Sequence, residues 1–261
     1  MTKIVIDPGH GGTDPGATNG SHQEKTFTLA IALKVRDYLQ SRYRATVLMT
    51  RTTDKTVSLP ERSNFANRER ADYFCSIHIN SGRGTGWESF IYNGTVNNAT
   101  IQAQQTIHQY VMSVLSGKYG VRDRGKKRDN FHVLRETTMP AILLENLFID
   151  TTEDLNLLNN HTFIADLANA IGEGLARALS LAPANPKMYK VIAGSFKNKQ
   201  NALDRVQHLQ KHGISSFVVE VTISGEKWYR VQAGAFRDRS NAEARLREVQ
   251  KTGVTDAFIL E

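Results

Sequence analysis

Short apolar runs alternate with amphipathic helical patterns over residues 1–180, which predicts an α/β protein with a mainly parallel sheet flanked by helices. A proline-bearing break at residues 181–187 is followed by a tandem strand–helix–strand repeat over residues 188–261. That repeat predicts a second, smaller ferredoxin-like βαββαβ domain. A hydrophobic content of 40% in 261 residues supplies two cores and excludes a disordered chain.

The first element is the run Lys3-Ile4-Val5-Ile6, whose β-branched residues read as a buried strand stopped at Asp7-Pro8-Gly9. A glycine-rich loop carrying His10 follows, and such loops let backbone approach a ligand closely. From Glu24 onward Phe27, Ile31, Val35 and Leu39 recur at helical spacing. Ala45 to Met49 reads as a second strand. Ser58-Leu59-Pro60 starts a helix with Ser58 as its cap. Tyr73 to Ile79 and Ala141 to Leu144 read as buried strands, the second ending at Glu145, and Trp87 to Tyr92 alternates as a further strand. Ala99 to Leu115 and Phe163 to Leu179 are amphipathic helices, and Thr152-Glu153-Asp154 opens another between them. Gly120 to Asn130 reads as a basic loop, either a solvated rim or a patch facing substrate.

In the second domain Tyr189 to Phe196 returns as Tyr229 to Phe236, Asn201-Ala202 as Asn241-Ala242, and Gly213 as Gly253. The chain has 33 basic and 26 acidic residues, a net +7, and residues 187–261 hold 13 and 8 of them. Such a balance favours an anionic partner. The single cysteine, Cys75, excludes an intrachain disulfide framework and reads as a small core residue. No apolar run is long enough for a membrane span. The N-terminus enters strand-like sequence directly, so synthesis in the cytoplasm with no signal peptide is expected.

Four candidate groups fall at matching places. His10 follows one strand, His78 ends another, Glu145 ends a third, and Glu24 opens the helix after the first loop. Ligands of open α/β sheets bind beyond the carboxyl ends of the strands. Two histidines and a carboxylate suit Zn²⁺ with one position left for water, and the remaining carboxylate suits a general base. Residue type and spacing leave open which glutamate is ligand and which is base. His22 reads as a loop residue, and Trp87 and Phe131 as core or rim. Trp228-Tyr229 serves either strand packing or stacking on a sugar.

The motifs Asp7-Pro8-Gly9-His10-Gly11-Gly12, Asp14-Pro15-Gly16, Glu24-Lys25, Ser76-Ile77-His78-Ile79-Asn80, Val133-Leu134-Arg135 and Met139-Pro140 through Glu145 stand in order along the first 180 residues. In this respect the chain resembles the zinc-dependent N-acetylmuramoyl-L-alanine amidases of the amidase-3 type. The resemblance implies that His10, Glu24 and His78 are zinc ligands and Glu145 the catalytic acid/base. Arg62, His132 and Arg135 are then expected to meet substrate or support the site. Two departures are visible: Ile79 replaces a small residue, and Leu147 with Asp150-Thr151 replaces a glycine and a Ser-Asn pair. The repeat, through its two Ala-Gly-x-Phe segments, resembles the sporulation-related repeat (SPOR) domain, which implies binding to peptidoglycan glycan strands.

Together these imply hydrolysis of the amide between N-acetylmuramic acid and L-alanine. They imply action at the cell wall after release, as in Bacillus-type sporulation amidases that lyse the mother-cell wall. A phage endolysin of the same chemistry is the alternative. A nucleic-acid-binding role fits the positive charge, but the repeats lack the RNA-recognition signature, so no nucleic-acid partner is expected.

Overall fold

The computed structural model describes residues 1–184 and 188–261; residues 185–187, part of the expected linker, lie outside the described residues. The chain divides into two compact units, 1–184 and 185–261.

The first unit opens with β1 (Thr2–Pro8), a small hairpin of β2 (Thr18–Asn19) and β3 (His22–Gln23), α1 (Glu24–Arg42), β4 (Ala45–Met49) and α2 (Leu59–Arg68). It continues through β5 (Tyr73–Asn80), β6 (Trp87–Tyr92), α3 (Asn98–Tyr119), β7 (Asp123–Asp129), α4 (His132–Arg135), β8 (Ala141–Phe148), α5 (Thr152–Leu158) and α6 (His161–Ala178). One six-stranded sheet has the order β4-β1-β5-β8-β6-β7. The first four strands are parallel, β6 runs antiparallel to β8, and β7 runs parallel to β6. Ile4, Ile6, Cys75, Ile77, Ile142 and Leu144 face α1, α3 and α6, with Ile31, Val35, Ile107 and Ile171 packed against them. Val5, Phe74, Phe90 and Leu143 face the other way, toward Ala66 of α2 and Val133 and Leu134 of α4. Successive residues alternate between the two faces. Both faces are covered, so the central strands read as continuous apolar runs.

Local chemistry explains the ends of the elements. Ser58 accepts from the Glu61 amide and Glu61 reaches back to the Ser58 amide, a reciprocal cap that starts α2. Gly120 ends α3 at φ +66, in the left-handed region.

Two sequence expectations are corrected. The basic stretch 120–130 contains an edge strand, β7, paired with β6 from Trp87 to Tyr92. Its run Asp-Arg-Gly-Lys-Lys-Arg-Asp has no apolar alternation because it lies at the rim, where charge also discourages further strand pairing. Glu145 does not end β8, which continues to Phe148. The strand carries a bulge there: His78 pairs with Glu145, but Asn80 pairs with Phe148. Leu147 takes the left-handed φ of +71 that the extra residue demands. The resemblance implies a glycine at this position, and the leucine found there is fully buried. Its burial offsets backbone strain that a glycine would avoid.

The second unit comprises β9 (Tyr189–Phe196), α7 (Lys199–Lys211), β10 (Phe217–Ile223), β11 (Glu226–Phe236), α8 (Arg239–Lys251) and β12 (Phe258–Leu260). Its antiparallel sheet has the order β10-β11-β9-β12, the ferredoxin-like arrangement read from the repeat. The core repeats with it. Val191 and Ala193 match Val231 and Ala233, Ala202 matches Ala242, and Leu209 matches Val249. The Arg205 side chain donates to the Ala193 carbonyl and Arg245 to that of Ala233.

Composition places residues 181–184 in the linker, yet they hold to the first unit. Leu181 is buried in its core, the Ala182 carbonyl accepts from the Arg44 amide, and the Ala184 amide donates to the Arg42 carbonyl. A chain ending at residue 180 is therefore expected to melt below one ending at 184. Loss of one buried leucine costs about 2 kcal/mol, which is about 4–8 °C for a unit of this size. Paired thermal melts check this, and equal midpoints would show that the segment contributes nothing.

Candidate metal centre

β1 delivers the first functional loop to the carboxyl edge of the sheet. Asp7, fully buried near its end, accepts from Thr50 Oγ1 at 2.5 Å, Arg62 at 2.8 Å and Ser76 Oγ at 2.7 Å. The following carbonyls are held by two buried arginines. Arg62 donates to the Pro8 carbonyl at 2.6 Å and the His10 carbonyl at 2.7 Å. Arg51 donates to the Pro8 carbonyl at 3.1 Å and the Gly9 carbonyl at 2.8 Å. This grip holds His10 at φ +58, a left-handed conformation that few non-glycine residues adopt. Two glycines make room for the side chains. A Cβ on Gly9 would lie 2.4 Å from the His78 ring, and one on Gly16 would lie 2.6 Å from Glu24 Oε2.

His10, Glu24 and His78 then converge, with one possible ligand atom from each lying within 4.8 Å of the others. His10 Nε2 is 3.1 Å from Glu24 Oε2, and His78 Nδ1 is 3.1 Å from Glu24 Oε1. Glu24 opens α1, so the helix start aims its carboxylate at the loop. The backbone amides of Ala17 and Ile79 each donate to it at 2.9 Å. Burial alone disfavours the Glu24 anion, yet the two histidines hold its carboxyl well below the usual carboxylate range. His10 is likewise penalised by burial but raised above its ordinary value by Glu24 and Asp14. Tetrahedral zinc, with bonds of about 2.0–2.1 Å, keeps its ligand atoms about 3.3 Å apart. The spacings and the His, Glu, His donor set fit that ion. Asp14 Oδ2 lies 2.8 Å from His10 Nδ1, the carboxylate contact that fixes the ring and leaves Nε2 for a metal.

Glu145 stands beside His78 on the next strand and opposite Glu88 on the strand after. Its Oε2 is buried with no hydrogen-bond partner among the described residues. Burial pushes its carboxyl well above the usual range, and the Glu24 and Glu88 charges add to the effect. A carboxyl raised in that way can both take and return a proton. Glu88, in contrast, is fully engaged by Asn80, Arg124 and Lys127. A cavity of about 260 Å³ opens on the other side of the histidines, lined by Val57, Leu59, Arg62 and Val133 among others.

The remaining sequence candidates divide. Arg62 lines that cavity but spends its guanidinium on Asp7 and the loop carbonyls. His132 lies against Ser63, 3.4 Å from its hydroxyl. Arg135 is held by Glu136 and Asn130 and is not brought to the cluster. His22 contacts Asn19 and Asn159, while Cys75 and Trp87 are core. Sequence reasoning passed over Arg51, Asp7, Asp14, Glu88 and Asn146. Asn146 accepts from the Trp87 indole and donates to the His78 carbonyl, steadying the β5 end. Only Asp14 has a local signal, four residues after His10 in a Gly-rich loop; the others act through contacts distant in sequence.

The doubly covered sheet carries a His, Glu, His cluster that fits a metal ion and, beside it, a glutamate with one unpartnered oxygen, the fold and side chains of a hydrolytic site. The family model for N-acetylmuramoyl-L-alanine amidases matches residues 4–177, and that for the SPOR domain matches residues 185–260. The chain belongs to the N-acetylmuramoyl-L-alanine amidase family, enzymes that hydrolyse the bond between N-acetylmuramic acid and L-alanine in peptidoglycan. It is 48% identical over 221 residues to a sporulation-specific N-acetylmuramoyl-L-alanine amidase of Bacillus subtilis, covering 84% of this chain and 85% of that protein. It is 41% identical to an endolysin of Bacillus phage SPP1 over 184 residues, covering 69% and 68% of the two chains. The catalytic domain of CwlV, an amidase from Bacillus (Paenibacillus) polymyxa var. colistinus, superposes with a TM-score of 0.65 at 34% identity, covering 70% of this chain and all of that one. Among the described residues no helix is long and apolar enough to cross a membrane.

The Arg62–Asp7 pair yields a prediction. Arg62→Met leaves the Asp7 carboxylate buried without its cation, and breaking such a pair costs about 3–5 kcal/mol. Chemical denaturation of the protein without substrate should show a loss of that size. An Arg62→Met protein as stable as wild type, but with a raised KM, would instead make Arg62 a substrate contact.

Proposed function

We propose that His10, Glu24 and His78 hold a zinc ion and that Glu145 is the acid/base for cleavage of the amide between the lactyl group of N-acetylmuramic acid and L-alanine. The observation that carries this reading is the Glu145 carboxyl, half-buried, with one oxygen unpartnered, in register with His78. Zinc at this cluster supplies an acidified water and a charge that polarises the scissile carbonyl. Glu145 accepts the proton of the attacking water and returns it to the departing amine. Its raised affinity for protons suits the second transfer, and burial with the Glu24 carboxylate nearby sustains it. Asp14 orients the His10 ring, and the arginine-held loop carries that ring to the cluster.

Residues 188–261 form the wall-binding domain in this reading, supported by the SPOR match and the surplus of positive charge. The 48% identity to a sporulation-specific amidase supports a role in lysing the mother-cell wall. The endolysin relative supports phage lysis as the second reading. Appearance of the protein in sporulating mother cells, or after prophage induction, separates the two.

Metal analysis should find about one zinc per chain. Glu145→Gln keeps the size of the residue but cannot accept a proton, so zinc should remain while turnover falls by about 10²–10⁴-fold. Glu24→Gln should lose zinc. The reverse pattern would exchange the two glutamates' roles.

Residues 185–261 alone should sediment with purified sacculi and hydrolyse nothing. Residues 1–184 should match the full chain on soluble muropeptides and lag on insoluble walls, because tethering raises the local concentration of substrate. If the isolated second unit stays in solution with sacculi, it does not anchor the enzyme.

A further inference from the structure

The basic edge strand is more than a solvated rim. Two of its side chains turn inward onto one carboxylate: Arg124 Nε and Lys127 Nζ lie 2.7 and 2.5 Å from Glu88 Oε2. Glu88 Oε1 is taken by Asn80 Nδ2 at 2.7 Å. Two cations thus share one buried anion, and Asp154 is a further carboxylate acting on Arg124. Arg124 is fixed, its guanidinium 4.7 Å from the centre of the Phe148 ring. The Lys127 side chain keeps 38% of its surface open to solvent, so its ammonium can meet a ligand.

The placement relative to the chemistry follows from the sheet. Glu145 pairs with His78 on one side and Glu88 on the other, so the three form a row across β5, β8 and β6. They share the α2/α4 face, since Phe74, Leu143 and Phe90 of that face lie an even number of residues from each in turn. Lys127 joins that face, 5.6 Å above the Phe90 ring. Neighbouring strands lie about 5 Å apart, so the cationic pair sits one strand beyond Glu145, away from the histidines.

We propose that Lys127 and Arg124, gathered on Glu88, form a carboxylate-binding subsite for the stem peptide, which selects a free carboxylate on the second residue after the scissile amide. This rests on the amidase reading of Glu145 given above. The departing amine is the N-terminus of the stem peptide, and it must stand at Glu145 to receive its proton. The peptide therefore starts at Glu145, while the lactyl and sugar side faces the cavity beside Val57, Leu59 and Val133. An extended peptide advances about 3.3–3.6 Å per residue, so its second residue passes over the Glu88 column. The N-acetylated glycan backbone is uncharged, whereas the stem carries free carboxylates. The charge on this side of the site thus selects peptide over sugar.

The test uses the full chain and matched soluble muropeptides with either a free α-carboxylate or a carboxamide on the D-glutamate that follows L-alanine. Wild type should prefer the carboxylate by about 10-fold or more in kcat/KM, the value of a charge-assisted hydrogen bond. Lys127→Met should bring the ratio close to one by raising KM for the carboxylate substrate, and Lys127→Arg should restore most of the preference. Equal wild-type rates on the two substrates, or a preference that survives Lys127→Met, would overturn the subsite. Wild type that cleaves neither substrate would overturn the amidase reading of the site, and the subsite with it.

Discussion

Two buried arginines set the geometry on which the first unit's chemistry depends. Between them, Arg51 and Arg62 hold the carbonyls of Pro8, Gly9 and His10 where β1 leaves the sheet. A glycine-rich loop released from a strand is ordinarily the most mobile part of an α/β edge. Here its backbone acceptors meet fixed guanidinium donors, and Asp7 balances the Arg62 charge with its other contacts filled by Thr50 and Ser76. The loop then presents the His10 ring from a left-handed backbone, and Gly9 lets the His78 ring pass closely. Positioning by buried charge is costly in desolvation unless every partner is satisfied, and around Asp7 each one is.

The glutamates at this edge show how environment separates like residues. Glu24 is surrounded by histidine nitrogens and backbone amides, all of which favour its anion. Glu88 is neutralised by lysine and arginine. Glu145, between His78 and Glu88 across the sheet, has burial and the Glu24 carboxylate acting on it but no donor for Oε2. A carboxyl surrounded in this way is poised to carry a proton, whereas Glu24 is held as the anion. The proposed division into metal ligand, acid/base and substrate-side anchor follows from these surroundings, since the side chains themselves are identical.

The second unit meets a different constraint. Each repeat provides one central strand, β9 or β11, and these pair with each other. Neither half closes a core alone, so the repeat is a single folding unit. The left-handed glycines at 194 and 234 recur beside Phe196 and Phe236, and an arginine from the helix lies over each ring. The two halves therefore solve the same local packing problem in the same way.

Periodicity was legible in the sequence because it is a local property. The β-branched runs at Ile4, Cys75 and Ile142, the Ser58 cap and the strand–helix–strand repeat each have a physical cause within a few residues. His10, Glu24, His78 and Glu145 could be singled out for the same reason, each lying close to a strand end or a helix start. What the local pattern lacked was β7, whose charged residues obey no apolar alternation because an edge strand needs none. It also lacked the bulge at Leu147, which carries β8 past Glu145 with a residue that gives no sign of a left-handed turn. Tertiary structure alone decided which charges meet. Arg62 reaches Asp7 across 55 positions, and Lys127 reaches Glu88 across 39. The physical reason is that a buried ion pair is specified by desolvation at one point in space, and the amino-acid order sets no spacing for it.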